Sequence, residues 1–157
     1  MSAEVEIQSK AFVFRKHVAF HETDSMGVVH HSNYVRYFEE ARVEWMRASG
    51  LIEWHAPMGP YSFAVVDLEA RYLRPAKFDD EIEVWLQVTA RGARLEFQYA
   101  IWNPRLETWS ATGRTGLVAL NSELKPVKLR TEVRAVFLRE PWSEVWPPAP
   151  PISASVR

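Results

Sequence analysis

Residues 21–50 read HETDSMGVVHHSNYVRYFEEARVEWMRASG, and this stretch decides the fold. From Tyr34 to Ser49, apolar residues recur at steps of four and three, which is typical of one face of an amphipathic helix: Tyr34, Phe38, Ala41, Trp45 and Ala48. We expect Ser32 or Asn33 to cap this helix, and Gly50 stands where a helix stop belongs. At about four and a half turns, it is the longest helix that the sequence predicts.

Strand patterns lie on both sides of the predicted helix. Before it, residues 11–20 alternate between apolar and other side chains, with Lys16 as the break in the pattern. After it come four strand-like segments joined by short links, near residues 66–72, 82–89, 95–101 and 111–120. Short links predict hairpins, and therefore an antiparallel meander. The simplest burial lays the helix across one face of the sheet, which is an α+β fold.

The C-terminal part of the sequence changes character after a short predicted helix over 132–139, which Thr131 can cap. Five of the last 17 residues are proline, which excludes a central strand or helix. We therefore divide the chain into a domain at 1–140 and an extended tail at 141–157, either free or lying on a neighbouring subunit. Trp85 faces away from the apolar row of its strand and indicates a second surface. Dimerisation would cover this surface and the unpaired sheet edges.

Composition limits the function. The chain has 157 residues with 19 Lys and Arg against 20 Asp and Glu, and a net charge of −1 argues against nucleic acid as a partner. Cysteine is absent, which excludes disulfides, thiol catalysis and cysteine zinc sites. No apolar run approaches the ~18 residues of a membrane span. The first ten residues carry charges and no apolar core, so we expect a cytoplasmic protein.

The residues suited to chemistry gather just before the predicted helix: His21, Glu22, Asp24, His30, His31, Asn33 and Tyr34. A helix N-terminus presents unpaired backbone N–H groups that can hold an anion or the oxygen of a reacting carbonyl. An acid in the preceding loop can supply a base or nucleophile beside that oxygen. Together these groups are the minimum required for acyl transfer.

Other interpretations of the same residues remain open. Asp24 can serve only as a backbone partner in a turn, and paired histidines at a loop end are usually solvated or capping. The histidines and Asp24 could hold a metal, but no zinc-site spacing is present, so we expect no metal. The sequence also lacks the G-x-S-x-G motif of serine hydrolases and any glycine-rich phosphate loop.

Residues 21–50 closely resemble the signature of hotdog-fold acyl-CoA thioesterases, in particular the 4-hydroxybenzoyl-CoA thioesterase family and its Tol-Pal-associated branch. The family pattern D-T-D-x-x-G-V-V-Y-H-x-N-Y-x-R-x-F-E-x-A-R is matched by Thr23, Asp24, Gly27, Val28, Val29, His31, Asn33, Tyr34, Phe38, Glu39, Ala41 and Arg42. Glu22 replaces the first aspartate of the pattern, and His30 replaces its tyrosine. The stretch FAVVDLEARYLRPAKFDDEIEV (63–84) resembles the family's second strand and the hairpin after it.

The resemblance implies a hotdog fold, in which a curved antiparallel sheet wraps around the long helix. It implies a homodimer or homotetramer with active sites at the dimer interface, acting on acyl-CoA or aryl-CoA without a cofactor. The family's catalytic aspartate falls on Asp24, and the histidine of the Tol-Pal-associated branch falls on His31. The position of His31 also supplies a backbone N–H that polarises the thioester carbonyl in the benzoyl-CoA branch.

We expect substrate contacts from Gly27, Asn33 and Tyr34 in the same motif. The resemblance places Arg94 where benzoyl-CoA thioesterases keep a basic residue for the CoA phosphates. A second basic group, which includes Lys128, follows the last strand, and either group could grip the nucleotide.

The sequence leaves the mechanism and two competing functions open. Asp24 could act as a general base on water or attack directly to form an anhydride. His31 could position water, protonate the leaving sulfur or orient the loop. The competing functions are a hotdog hydratase or dehydratase, and a non-catalytic module that binds acyl-CoA or acyl-carrier protein. The acyl group preferred by the site is not readable from the sequence.

Overall fold

The computed structural model describes residues 11–52 and 61–151, in which one antiparallel sheet carries a long helix on one face. In chain order the elements are β1 (Phe12–His17), a 3-10 turn (Phe20–Glu22), α1 (His31–Ala48), β2 (Ser62–Tyr72), β3 (Glu81–Arg91), β4 (Arg94–Asn103), β5 (Thr108–Leu120) and α2 (Thr131–Leu138). The five strands are ordered β1-β3-β4-β5-β2, and each strand is antiparallel to its neighbours. The expected α+β class is confirmed. The predicted meander is correct for β3, β4 and β5 but wrong for β2, which pairs with β5 instead of forming a hairpin with β3. Thr131 is the first residue of α2 and Arg130 its N-cap, so the predicted Thr131 cap is wrong.

The core lies between α1 and the inner face of the sheet. The ring of Phe38 stacks on that of Tyr99 with centroids 4.6 Å apart and an angle of 15° between the planes. Gly113 on β5 makes room for this pair, because a Cβ atom at position 113 would collide with the Phe38 ring. The predicted apolar face is buried except for Ala48 in the last turn, which is exposed.

The helix starts three residues earlier than its apolar pattern predicts. His30, rather than Ser32 or Asn33, is the N-cap, and its Nδ1 accepts a hydrogen bond from the Ser32 amide at 3.3 Å. The predicted stop is confirmed at Gly50, which has a φ of +79°. Within residues 11–52 and 61–151, no helix is both long enough and apolar enough to cross a lipid bilayer.

The first strand is shorter than the pattern over 11–20 predicts. It ends at His17, and the chain then turns into the 3-10 segment. The Val18 amide leaves the strand and donates to the Asp80 carbonyl oxygen at 2.9 Å, while the Asp79 amide donates back to the Val18 oxygen at 3.0 Å. These two bonds tie the end of β1 to the loop before β3.

Strand β2 lies at an edge of the sheet and pairs only with β5 among the described strands. Its register shifts between Val65 and Asp67, which is a bulge. The exposed fractions of Val65, Val66 and Leu68 are 45%, 51% and 43%. An unpaired edge with exposed apolar side chains is suited to association with another strand.

Residues 142–146 of the proline-rich segment are not free. They pack against the sheet of their own chain rather than on a neighbouring subunit. Its Ser143 backbone bonds with the side chain of Gln87 on β3, and Trp146 packs against tryptophans on the outer face of the sheet. The second surface that Trp85 indicates is therefore present and is covered by the chain itself.

A buried ion pair fixes the loop between β2 and β3. Asp80 is 6% exposed and accepts hydrogen bonds from Arg105 Nε at 2.5 Å, Asn103 Nδ2 at 2.9 Å and the Lys77 amide at 2.9 Å. Burial by itself would raise the pKa of Asp80, but these hydrogen bonds and the Arg105 charge outweigh it and lower the pKa to about 2. The carboxylate is therefore a stabilising group in its ionised form.

We predict that Asp80→Asn lowers the free energy of unfolding by about 2 kcal/mol at pH 7, since the lowered pKa stabilises the ionised folded state. This contribution is fully present above the usual carboxyl pKa and is lost as the pH falls through about 2. Urea unfolding at several pH values checks it, with Glu123→Gln in an exposed ion pair as the control. A difference between variant and parent that stays constant from pH 7 to pH 3 would contradict the prediction.

Candidate active site

The loop before α1 is a tight hairpin. Its ends are bridged between Thr23 and Val29, and the Asp24 amide donates to the Val28 oxygen at 2.9 Å. The Gly27 amide donates to the Asp24 oxygen at 2.9 Å, and Gly27 has a φ of +76° that a side chain would strain. Gly27 thus shapes the turn; contact between Gly27 and a substrate stays a prediction.

Asp24 has one carboxylate oxygen engaged in the turn. Its Oδ1 accepts a hydrogen bond from the Met26 amide at 2.8 Å, so the turn-forming role foreseen for an aspartate here is real. The side chain is half-buried, and Oδ2 makes no hydrogen bond within the described part of the chain. One oxygen therefore holds the loop while the other is available to a ligand.

The first turn of α1 offers unpaired backbone donors. His31 is the first helical residue, and within the described residues its amide donates no hydrogen bond. The neighbouring amides are occupied, since the Ser32 amide bonds to the His30 ring and the Asn33 amide donates to the His30 oxygen at 2.9 Å. The His31 N–H is thus the backbone group best placed to bind a carbonyl oxygen at the positive end of the helix.

Aromatic rings surround the start of the helix. The exposed His31 ring lies 4.2 Å from the His30 ring and 6.2 Å, edge-on, from the ring of Tyr72 at the end of β2. Tyr72 also lies 5.4 Å from Tyr34 and is 50% exposed. Tyr72 was not singled out from the sequence, where it reads as one more residue of an alternating strand. Only the position of the β2 end beside the helix start reveals it.

Two predicted site residues use their polar groups to hold the loops. Asn33 is buried, and its Nδ2 donates to the Glu22 carbonyl oxygen at 2.8 Å; the His30 amide donates to the same oxygen at 2.9 Å. The buried Tyr34 hydroxyl accepts from the Ala76 amide at 3.1 Å, and burial raises the pKa of this phenol. Both residues position loops around Asp24, and their contact with substrate stays a prediction.

A cluster of charged side chains lies beside the start of the hairpin that carries Asp24. Glu22, which departs from the family pattern, is buried and accepts from the Ala19 amide at 2.8 Å through Oε1. Its Oε2 faces Lys16 Nζ at 3.4 Å, and the same amine lies 3.0 Å from Glu40. The break that Lys16 makes in the β1 pattern is therefore explained by these carboxylates. Burial raises the pKa of the adjacent Tyr37, and the Glu22 charge raises it further.

The predicted nucleotide residues lie far from Asp24 in the same chain. The hairpin of Asp24 bridges to Lys77 near the start of β3, whereas Arg94 follows the turn at the other end of this 11-residue strand. At ~3.4 Å per residue, the separation is roughly 35 Å. The structure does not bring these predicted residues together within one chain.

Lys128 and Arg94 have different surroundings at that far end. Arg94 forms an ion pair with Asp67, which also meets Arg114 Nη1 at 3.2 Å. Lys128 lines a cleft of about 310 Å³ with Leu129, Arg134 and the β3–β4 turn. The cleft combines apolar walls with two basic side chains, of which Arg134 donates to the Gly92 oxygen at 2.6 Å. Within the described residues, no group of three or more histidines and acids is arranged to hold a metal.

Comparisons with known proteins agree with the fold. A family model described as "Thioesterase-like superfamily" matches residues 18–138. "Acyl-CoA thioesterase YbgC" of Haemophilus influenzae is 32% identical over 128 residues, which are 80% of this chain and 93% of that protein. A protein of Aquifex aeolicus is 46% identical over 79 residues, 49% of this chain and 60% of that protein.

Solved structures show the same architecture. A crystal structure of a protein from Aquifex aeolicus superposes with a TM-score of 0.73 at 31% identity, over 80% of this chain and 98% of that one. A 1,4-dihydroxy-2-naphthoyl-CoA thioesterase from Synechocystis has a TM-score of 0.74 at 23% identity, over 83% of this chain and 99% of that one. The family model and the Haemophilus influenzae relative place the chain among thioester hydrolases with the hotdog fold. The chain belongs to the thioesterase-like superfamily.

We predict that Asn33→Ala lowers the free energy of unfolding by about 1–2 kcal/mol, because the buried Glu22 oxygen loses one of its two donors. Replacing the neighbouring exposed ring by His31→Ala changes stability by less than about 0.5 kcal/mol. Urea denaturation of both variants tests the contrast. Equal losses for the two variants would show that Asn33 does not anchor the loop.

Proposed function

We propose that this protein hydrolyses acyl-CoA or aryl-CoA thioesters to the free acid and coenzyme A, with Asp24 as general base or nucleophile. The observation that carries the proposal is the pairing of two groups on one rigid segment. Within residues 11–52 and 61–151, Oδ2 of the Asp24 carboxylate makes no hydrogen bond, and the His31 amide seven residues later donates none. This combination supports attack on a carbonyl whose oxygen rests on the helix start.

The chemistry balances with these groups and water. As general base, Asp24 takes a proton from water while the water oxygen forms a bond to the thioester carbon. The carbonyl oxygen gains negative charge, which the His31 amide stabilises, a donor of this kind being worth on the order of 3 kcal/mol. The C–S bond then breaks, and the thiolate leaves and takes up a proton. As nucleophile, Asp24 first forms an anhydride that water opens.

His31 and Tyr72 are proposed as the wall beside the acyl group. Their rings meet edge-on and are both exposed, so a flat or extended acyl group could lie against them. We propose that the His31 ring orients the substrate and loop, while its backbone provides the oxyanion donor. The acyl preference, and the use of acyl-carrier protein in place of coenzyme A, stay open.

The site is proposed to be completed by a second copy of the chain. The exposed apolar residues of β2 mark the edge through which two copies associate as a homodimer, alone or within a homotetramer. Since Arg94 and Lys128 lie roughly 35 Å from Asp24 in their own chain, their proposed role is to hold CoA phosphates at the site of the other protomer. A cytoplasmic location stays a prediction.

Within the superfamily, we propose the 4-hydroxybenzoyl-CoA thioesterase family and its Tol-Pal-associated branch. The motif of residues 21–50 supports this assignment, as does the 32% identity to the Haemophilus influenzae protein.

We predict that Asp24→Asn lowers kcat for acyl-CoA hydrolysis by at least about 100-fold, because the base is lost. The asparagine oxygen still accepts from the Met26 amide, so the turn is kept and the change isolates the charge. Release of free thiol from short, long and aromatic CoA esters measures the rate. Glu81→Gln, an exposed acid at the start of β3, is the control.

Three other results would overturn the proposal. An Asp24→Asn variant with full activity would remove Asp24 from the mechanism. Double-bond absorbance without thiol release would indicate a hydratase. Thermal stabilisation by CoA esters without turnover would indicate a binding module.

We predict that His31→Pro lowers kcat by about 100-fold, since proline removes the proposed oxyanion donor. Proline is favoured at the first position of a helix, and His30 before it already has the extended ψ of 135° that proline requires. His31→Ala keeps the amide and is expected to lose less than about tenfold. Equal activity of the two variants, each with parental circular dichroism, would contradict the role of the amide.

A further inference from the structure

Three tryptophans lie on the sheet face that points away from α1. Trp85 on β3, Trp102 on β4 and Trp109 on β5 surround Ala100, with ring centroids 5.7 Å apart for Trp85–Trp109 and 5.1 Å apart for Trp102–Trp109. The solvent face of an antiparallel sheet is normally polar. These indoles are not used by the proposed catalytic site, so their burial needs a separate explanation.

The cover over these tryptophans is the chain's own residues 142–146, which we call the strap. Trp146 of the strap packs against the cluster, and Trp102 and Trp109 are only 6% and 9% exposed in its presence. The strap comes from a proline-rich segment that forms neither helix nor strand. Its proximity to the sheet is therefore not required by secondary structure.

The strap is attached by a specific pair of hydrogen bonds. Gln87 Nε2 donates to the Ser143 carbonyl oxygen at 2.9 Å, and Gln87 Oε1 accepts from the Ser143 amide at 2.9 Å. Gln98 holds the Gln87 side chain, accepting from its Nε2 at 2.6 Å. Gln87 is 5% exposed, and both bonds are partly buried. The side chain thus binds the strap backbone as a neighbouring strand would.

We propose that the strap prevents two copies of this protein from associating through the tryptophan face. At ~150–250 Å² for each aromatic side chain, three indoles set an upper limit of about 450–750 Å² per copy, part of which the rings and the sheet already cover. A stable interface needs about 800 Å² per partner, so the residues around the cluster on the same face must supply the remainder. A two-fold axis brings the same face of both copies together, and a net charge of −1 opposes this only weakly.

The experiment compares the full chain with a chain that ends at Glu140. Light scattering over a range of concentrations is expected to give the shortened chain twice the molar mass of the full chain. Adding Trp109→Gln to the shortened chain is expected to restore the mass of the full chain. A synthetic peptide of residues 141–151 should restore it too, and the same peptide with Trp146→Ala should not.

Two full-length variants keep the test decisive if the shortened chain precipitates. Trp146→Ala removes the indole that covers the cluster, and the mass is expected to rise with concentration. Trp142→Ala is the matched control, since this tryptophan contacts Arg91 and Glu144 instead of the cluster. Equal masses for both variants, or a shortened folded chain with the mass of the full chain, would overturn the proposal. Because the readout is mass, failure leaves the catalytic proposal untouched.

Discussion

The candidate site depends on one buried carbonyl oxygen, that of Glu22. It accepts hydrogen bonds from the His30 amide at 2.9 Å and the Asn33 side chain at 2.8 Å, which lock the hairpin to the first turn of α1. A buried backbone oxygen must be paired, so the loop has no low-energy way to move independently of the helix. This constraint ties the loop that carries Asp24 to the start of α1, which is the arrangement that the proposed catalytic site needs.

Asp24 can both shape the turn before α1 and take the chemical role proposed for it. One carboxylate oxygen shapes the turn by accepting from the Met26 amide, while the other makes no bond within the described residues. A carboxylate held by one oxygen is fixed in orientation, which benefits a base that must meet water at a defined position. The role of Asp24 in shaping the turn is therefore compatible with its proposed role as a base.

Periodicity was sufficient for the α+β class, because α1 and the central strands carry apolar rows that the core buries. It did not give the strand order, since β2 pairs with β5 and not with β3. The pattern missed what depends on contacts distant in sequence. His30 is the N-cap because its ring nitrogen accepts a hydrogen bond from the Ser32 amide. Lys16 lies in the inner row of β1 because its amine forms ion pairs with Glu22 and Glu40. Tyr72 lies beside the candidate site only because β2 ends next to the start of α1. The motif singled out Asp24 and His31, whose catalytic roles stay predictions. No sequence signal indicated that Asn33 and Tyr34 hold backbone groups or that Arg94 pairs with Asp67.

Gly113, which has no side chain, couples the packing of strand β5 to that of helix α1. The Phe38 ring occupies the volume that a Cβ atom at position 113 would need. Strand β5 and helix α1 are therefore in direct van der Waals contact at this point. Neither residue can enlarge without the other shrinking, so evolutionary change at these sites must be concerted. Homologues with alanine or serine at the strand position should carry a smaller, non-aromatic residue on the helix.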